Sequence, residues 1–166
     1  MSKLYIMCGL AFAGKSTLAR ILAKHTGSKL IAFDNLWVEK AKEQPVSKGV
    51  DGWRFIRKIA QDEISKCLHE GISVVYDDNN VRLEHREELR KVAKEANSEP
   101  IIIYLNTPLE IIRAREQANK VTGKRHEVEP ENFQTVLEQL EPPSSDEKAL
   151  EFKPNMDMNE FLKKLD

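Results

Sequence analysis

Short apolar runs alternate with amphipathic segments along the whole chain, and this alternation predicts an α/β fold with a parallel sheet. The apolar runs have the length of strands and are expected at residues 3–8, 29–33, 72–76, 100–105 and 149–152. Segments with helical spacing are predicted at residues 17–25, 53–69, 83–96, 109–118, 131–140 and 159–165. The pattern therefore predicts five strands joined by helices.

Two connecting segments interrupt this alternation. Residues 41–52 are polar and contain one proline and two glycines, which indicates a surface excursion within a substrate-side region of about 35–60. Residues 119–130 are basic and lack apolar periodicity, so a mobile lid is expected at about 115–130. Residues 1–166 are expected to form a single domain, because this length suffices for one hydrophobic core.

The turn after the first strand carries the clearest chemical signal. Residues 9–17 read Gly-Leu-Ala-Phe-Ala-Gly-Lys-Ser-Thr, which is a complete phosphate-binding loop between a strand and a helix. Lys15 is expected to hold the β- and γ-phosphates of a nucleotide, and Ser16 to ligate Mg²⁺, so ATP and Mg²⁺ are the predicted cofactors. The predicted nucleotide-binding residues are Gly9, Ala11, Phe12, Ala13, Gly14, Lys15, Ser16, Thr17 and Arg113.

A secretory signal is the competing interpretation of the same segment, because Lys3 precedes an apolar stretch that ends in Ala-Phe-Ala13. The positive region is a single lysine, Gly9 interrupts the apolar run, and cleavage after Ala13 would divide the phosphate loop. The phosphate loop is therefore the preferred interpretation. No segment approaches the ~20 apolar residues that a membrane span requires.

Charge and cysteine content narrow the function further. Lys and Arg number 26 and Asp and Glu number 27, which gives a net charge of −1. A protein that grips long nucleic acid usually has a basic surplus, and here the basic residues cluster only locally, near 113–125. Cys8 and Cys67 are too few for a disulfide scaffold and are expected to be small buried side chains, which fits a reducing cytoplasm.

Carboxylates follow two of the predicted strands, at the edge of the sheet where α/β proteins bind ligands. In a transfer of phosphate from the nucleotide to a hydroxyl group, Asp34 is expected to bind this acceptor hydroxyl and take its proton. The alternative is that Asp34 is the N-cap of a helix that starts at Asn35. Asp78 is expected to hold Mg²⁺ or bind the acceptor, with Asn80 assisting; the alternative is a turn residue. Asp77 is the weaker candidate.

Basic and aromatic residues complete the candidate site. At least one basic side chain of the predicted lid is expected to contact phosphate and neutralise charge in the transition state. The alternative is a solvated surface, since glutamates are interspersed. Trp37 is expected to contact the acceptor, with ordinary packing as the alternative. The basic candidates are Arg113, Arg115, Lys120, Lys124 and Arg125.

The phosphate loop, the Phe33-Asp34-Asn35 segment and the Asp-Asp-Asn-Asn turn together resemble the small P-loop kinases of the AAA-domain, zeta-toxin-like and polynucleotide-kinase-like class. This resemblance implies a Rossmann-like P-loop NTPase fold of three αβα layers, with a five-stranded parallel sheet in the order 2-3-1-4-5. It also implies that Asp34 is the catalytic aspartate, that Asp78 and Asn80 occupy the polar positions of an Asp-x-Asn element, and that Arg115 is a catalytic lid arginine.

Two departures bear on the acceptor. Trp37 stands where polynucleotide kinases carry an arginine, and Asn119 stands at a second lid-arginine position. The leading prediction is therefore an ATP-dependent kinase that phosphorylates a hydroxyl of a small molecule. A polynucleotide 5′-hydroxyl kinase and a nucleotide-dependent switch or regulatory ATPase are the alternatives. Asn79, where hydrolytic motors usually have glutamate, favours transfer over hydrolysis. Nucleic-acid ends are the less favoured partner, and no membrane partner is expected. The sequence does not indicate whether the protein is a monomer or an oligomer.

Overall fold

Five strands and seven α-helices alternate in the computed structural model, which describes residues 1–165. The strands are β1 (Lys3–Cys8), β2 (Lys29–Ala32), β3 (Val74–Asp77), β4 (Glu99–Leu105) and β5 (Leu150–Phe152). The helices are α1 (Lys15–Thr26), α2 (Phe33–Glu43), α3 (Val50–His69), α4 (Leu83–Glu95), α5 (Leu109–Thr122), α6 (Pro130–Glu138) and α7 (Met158–Leu162). A 3₁₀ helix at Ser145–Glu147 precedes β5.

The strands form one parallel sheet in the order β2-β3-β1-β4-β5, which confirms the predicted fold. The central strand β1 is buried on both faces. Its residues Leu4 and Ile6 belong to one hydrophobic cluster with α3 and α4, and Tyr5 and Met7 belong to the other with α1 and α5. Because helices cover both faces, the sheet is the middle of three layers.

The excursion between β2 and β3 is shorter than predicted. Helix α2 runs to Glu43 and α3 begins at Val50, so only residues 44–49 are outside helices. Gly52, which the sequence pattern assigned to the loop, lies inside α3. A Cβ atom there would lie 1.8 Å from the Ser47 carbonyl oxygen, so the glycine permits close approach of the loop to the helix.

The lid prediction needs a similar correction. Helix α5 continues to Thr122 and ends at Gly123, whose φ of 59° is the left-handed conformation common after a helix. The first half of the predicted 115–130 segment is therefore helical, and the non-helical part is the lid loop, residues 123–129.

Both cysteines are free and buried, as predicted, and burial raises the pKa of the Cys8 thiol to about 11. None of the helices within residues 1–165 is long and apolar enough to cross a membrane.

A buried ion pair that the sequence did not reveal fixes the turn after β3. Arg86 on α4 is fully buried and donates to both carboxylate oxygens of Glu147, at 2.6 and 2.9 Å. Its Nη1 also donates to the carbonyl oxygens of Asn80 and Val81, each at 3.0 Å. The pair therefore joins the C-terminal part of the chain to the turn that carries Asp78.

Candidate functional site

Side chains hold three carbonyl groups of the phosphate loop by hydrogen bonds. The bonds run from Lys15 Nζ to Leu10 O (2.6 Å), from Arg115 Nη1 to Phe12 O (3.0 Å) and from Thr107 Oγ1 to Ala13 O (2.8 Å). Carbonyl oxygens repel phosphate, so fixing them to other donors prepares the loop for an anion. The sequence pointed to Lys15 and Arg115 but gave Thr107 no such role.

The backbone of the loop has the shape that a phosphate site requires. Gly9 has a φ of 153°, and a Cβ atom there would lie 3.1 Å from the Leu105 carbonyl oxygen. Gly14 has a φ of 103° and is the N-cap of α1, which begins at Lys15. The N-terminus of α1, with its free N–H groups and positive dipole end, therefore faces the position expected for the nucleotide phosphates.

Lys15 is buried in the centre of the site. Desolvation lowers the pKa of its ammonium group, while the charges of Asp77 and then Asp78 act in the opposite direction. The ammonium group therefore lies within electrostatic reach of the carboxylates at the end of β3. Because an ammonium group has three N–H donors, Lys15 has donors left for a phosphate while it keeps its bond to Leu10 O.

Asp34 is not the N-cap that its sequence context allowed. Helix α2 begins one residue earlier, at Phe33, with Ala32 as its N-cap, and no side chain caps it. Asp34 lies in the first turn of α2 and is accessible to solvent. The surrounding protein partly desolvates its carboxylate and raises its pKa, as do the charges of Asp78 and Asp77. Asp34 is thus a carboxylate with enhanced proton affinity that lies within electrostatic reach of Lys15.

Asp78 is engaged through both of its oxygens. Its Oδ2 accepts from Arg57 Nε at 3.3 Å and from Tyr76 Oη at 3.2 Å, and its Oδ1 accepts from the Asn79 backbone N–H at 2.7 Å. A carboxylate held in this way is less available to a metal ion than Asp77, whose charge is the one that acts most strongly on Lys15. The Mg²⁺ prediction for Asp78 is therefore less favoured than the same role for Asp77.

Asn80 has a structural environment. It is 1% exposed, and its Nδ2 donates to the Met7 carbonyl oxygen at 2.8 Å. Burial disfavours the predicted contact between Asn80 and a substrate, although Asn80 Oδ1 has no hydrogen-bond partner within residues 1–165. Trp37 also packs internally: its ring lies 6.0 Å from that of Phe33 and approaches Gly52, so the packing alternative is the better supported one.

The donor groups present suit Mg²⁺ that is bound together with a nucleotide. Within residues 1–165 there is no group of three or more His, Cys, Asp or Glu side chains that could form a metal cage. Mg²⁺ usually binds through one or two carboxylates, water and substrate phosphates. Ser16 at the start of α1 and Asp77 at the end of β3 fit that limited protein contribution.

The two arginines of α5 have different environments. Arg115 reaches the phosphate loop, as described above. Arg113 forms an ion pair with Glu116 at 3.2 Å and lies over the ring of Phe133, 4.5 Å from its centroid. The predicted nucleotide contact of Arg113 would require it to leave both partners, so Arg115 is the better candidate.

Asn119 fixes the lid loop to α5. Its Oδ1 accepts from the Arg125 N–H at 2.9 Å, and its Nδ2 donates to the Arg125 carbonyl oxygen at 3.0 Å. The guanidinium group of Arg125 lies 5.8 Å from the ring centroid of Phe12, and its charge is felt by Lys15. Asn119, which stands at a lid-arginine position, thus holds the backbone of Arg125, whose side chain lies near the phosphate loop.

A family model described as an AAA domain matches residues 4–143. The chain belongs to this family. The L-seryl-tRNA(Sec) kinase of Methanococcus maripaludis is 32% identical over 124 residues, which are 73% of this chain and 48% of that protein. The chain thus spans about half the length of this curated relative. The relative is a kinase, which supports the interpretation of this AAA-domain chain as a small P-loop kinase.

Solved structures share the fold of this AAA-domain protein. A putative kinase from Chloroflexus aurantiacus superposes with a TM-score of 0.78 at 19% identity, and the alignment covers 99% of this chain and 96% of that one. Kti12 of Chaetomium thermophilum in complex with ADP-AlF3 superposes with a TM-score of 0.79 at 18% identity, and the alignment covers 98% of this chain and 96% of that one. A gluconokinase from Sinorhizobium meliloti superposes with a TM-score of 0.66 at 19% identity, and the alignment covers 97% of this chain and 87% of that one. These likenesses establish the fold.

The lid loop of this AAA-domain protein is expected to become more ordered when nucleotide binds, because Arg125 gains phosphate as a partner. Hydrogen exchange at residues 123–129 should slow with a non-hydrolysable ATP analogue and Mg²⁺. Asn119→Ala should speed exchange at the Arg125 amide without nucleotide, since its side-chain acceptor is lost. Gln139→Ala, on an exposed position after α6, is the control. Equal exchange with and without the analogue would identify an ordinary surface loop.

Proposed function

We propose that this protein is an ATP-dependent kinase that transfers the γ-phosphate of ATP to a hydroxyl group of a small-molecule acceptor. The observation that carries the proposal is the placement of Asp34, a carboxylate with raised pKa and no capping bond, at the same edge of the sheet as Lys15. A carboxylate in that position suits a hydroxyl acceptor, which must be aligned and must lose its proton.

In this proposal Lys15 binds the phosphates and stabilises the charge that develops on the transferred group. Arg115 and Arg125 add positive charge from the other side of the phosphate loop. Asp34 orients the acceptor oxygen and takes its proton as the new P–O bond forms and the bond to the β-phosphate bridging oxygen breaks. Mg²⁺, held by Ser16 and Asp77 or Asp78, would supply further charge neutralisation when bound with ATP.

The direct test is a screen for acceptor-dependent release of ADP. The acceptors are sugars, sugar acids, nucleosides, aminoglycosides and other hydroxylated metabolites. A kinase should release ADP rapidly with one class and slowly with water alone. Release that no acceptor accelerates, but that is fast by itself, would support the alternative of a regulatory ATPase or nucleotide-dependent switch.

A hydroxyl carried by nucleic acid is the second candidate, because a curated relative is a kinase named for seryl-tRNA(Sec). The net charge of −1 argues against extended phosphate contacts, which depend on several cations. We therefore expect 5′-hydroxyl oligonucleotides and seryl-tRNA to be poorer acceptors than the preferred small molecule at physiological salt. Efficient labelling of either, falling steeply as salt increases, would reverse that order.

Asp34→Asn is expected to lower phosphoryl transfer by roughly 10²-fold, the lower range for loss of a general base. The affinity for ATP should change little, because this carboxylate acts on the acceptor. Since the pKa of Asp34 is raised, transfer by the wild type should fall as pH decreases through a value above the ordinary aspartate pKa. This decrease in transfer at low pH should be absent in Asp34→Asn. The measurements are kcat against pH and ATP titration calorimetry.

Asp51→Asn is the matched control, because Asp51 is an exposed carboxylate in the first turn of the neighbouring helix α3. It should leave transfer and ATP affinity unchanged. Near-normal transfer by Asp34→Asn would move the role of base to Asp77 or Asp78.

A further inference from the structure

Arg57 lies on α3 and contacts Asp78, one of the three aspartates of the acceptor edge (Asp34, Asp77 and Asp78). Its Nε donates to Asp78 Oδ2 at 3.3 Å, and its Nη1 donates to His85 Nε2 at 2.8 Å. Within residues 1–165 its Nη2 has no hydrogen-bond partner, and the side chain is 22% exposed. The guanidinium group therefore has donor capacity that the protein does not use.

The other arginine near this turn shows what a purely structural arginine looks like in the same fold. Arg86 is fully buried, binds Glu147 through two short hydrogen bonds and uses its third nitrogen on two carbonyl oxygens. Arg57 instead meets Asp78 through a single long contact and remains partly open to solvent. The difference marks Arg57 as a cation with an incomplete set of partners.

His85, the second partner of Arg57, is a neutral ring and does not neutralise the charge of the guanidinium group. A guanidinium group can only donate hydrogen bonds, so His85 Nε2 accepts and the ring proton is on Nδ1. Desolvation, followed by the charge of Arg57, lowers the pKa of His85, in agreement with a neutral ring. His85 is thus a neutral acceptor that orients the guanidinium group.

The position of Arg57 separates it from the cations of the nucleotide side. Lys15 and Arg115 contact the phosphate loop, and Arg125 lies over Phe12 in that loop. Arg57 comes from α3 and contacts the turn after β3, whose Asp78 is within electrostatic reach of Asp34. Arg57 is therefore a cation at the turn after β3 that makes no contact with the phosphate loop.

We propose that Arg57 determines acceptor specificity by binding an anionic group, a carboxylate or a phosphate, that the acceptor carries in addition to its reacting hydroxyl. The unused Nη2 edge would bind this group while Nε stays on Asp78, so that the guanidinium bridges two anions. This inference rests on the proposed kinase function and narrows its acceptor to anionic hydroxylated molecules.

The first experiment measures anion binding without catalysis. The protein is saturated with a non-hydrolysable ATP analogue and Mg²⁺, which occupies the phosphate loop, and is titrated separately with acetate and with inorganic phosphate. The NMR signal of the Asn79 amide, which donates to Asp78, reports the Arg57–Asp78 contact. We expect a saturable shift with at least one anion in the wild type and in Lys58→Gln, an exposed neighbour on α3, and no saturable shift in Arg57→Gln.

The second experiment uses matched acceptors that differ in charge: glycerate, glycerol 3-phosphate and glycerol, and gluconate with sorbitol. For the charged member that reacts best, Arg57→Gln should raise KM about tenfold or more, while kcat changes little and the neutral member is unaffected. Arg57→Lys, which keeps the charge but not the planar fork, should recover part of the loss. A structural role would instead lower kcat for both members.

The outcomes separate this inference from the proposed function. Anion binding that is equal in Arg57→Gln and the wild type, or absent from both, overturns the role of Arg57, as does a preference of the wild type for neutral acceptors. Arg57-dependent anion binding without acceptor-dependent ADP release would retain the anion site and refute the kinase. Preference for acetate and glycerate identifies a carboxylate acceptor, and preference for phosphate and glycerol 3-phosphate a phosphorylated one.

Discussion

Lys15→Ala is expected to reduce phosphoryl transfer by about 10³-fold or more, because the ammonium group is the buried cation at the centre of the phosphate loop. ATP should also bind more weakly. The fold should be retained: desolvation disfavours the charged lysine in the folded state, so removing it relieves a cost, and Leu10 O still accepts from the Ala13 N–H at 3.2 Å. ADP release, ATP·Mg calorimetry and the melting temperature are the measurements.

Lys24→Ala provides the control for this prediction, since Lys24 is an exposed lysine in the last turn of the same helix. It should leave activity, ATP affinity and melting temperature unchanged. Unchanged activity and ATP affinity in Lys15→Ala would show that the nucleotide binds elsewhere. A large fall in melting temperature would show that Lys15 has a structural role through its bond to the loop.

Arg86→Met is expected to lower the free energy of unfolding by about 3–5 kcal/mol, because it leaves Glu147 as an unpaired buried charge. Two carbonyl groups in the turn after β3 lose their donor as well. Combining it with Glu147→Met should recover part of the loss, since no charge then remains buried without a partner. Denaturant unfolding measures both. Arg90→Met on the same helix, whose partner Glu87 is half exposed, should cost less than about 1 kcal/mol.

The same pair predicts how stability depends on pH. Desolvation opposes ionisation of Glu147, but hydrogen bonds from Arg86 and from the Ser144 N–H outweigh it and lower the pKa of the carboxyl group. The stabilisation is therefore complete above the ordinary glutamate pKa of the unfolded chain and is lost as pH falls through the lowered value. Glu147→Gln should remove this acid dependence. An unchanged pH dependence in Glu147→Gln would assign it to other carboxylates.

The sheet and the phosphate loop could be predicted because their signals are local. An uninterrupted apolar run at residues 100–105 is a strand in any context that buries both of its faces, and the spacing of residues 9–17 belongs to one backbone shape. The family resemblance supplied the strand order, which local patterns do not contain. The helix boundaries were less accurate, because Gly52 permits a close contact inside α3 and resembles a loop residue in sequence.

The partners of the site residues could not be predicted, because they come from distant parts of the chain. Thr107 contacts Ala13 across 94 positions, and Arg86 contacts Glu147 across 61. Arg57 has no local signal, since a polar residue on an amphipathic helix is normally a solvent contact. The role of Asn119 was hidden for a different reason: it acts through the backbone of Arg125, which a comparison of side-chain types does not reveal.

The attachment of Arg125 to α5 has a consequence for the order of events in a catalytic cycle. Arg115 is part of α5, and the backbone of Arg125 is bonded to the same helix through Asn119, so both arginines are attached to one helix. We expect them to engage a triphosphate together. Once the terminal phosphate has been transferred, one arginine loses its phosphate contact, and we expect the contact of the other to weaken as well. The transfer step would then favour the release of ADP.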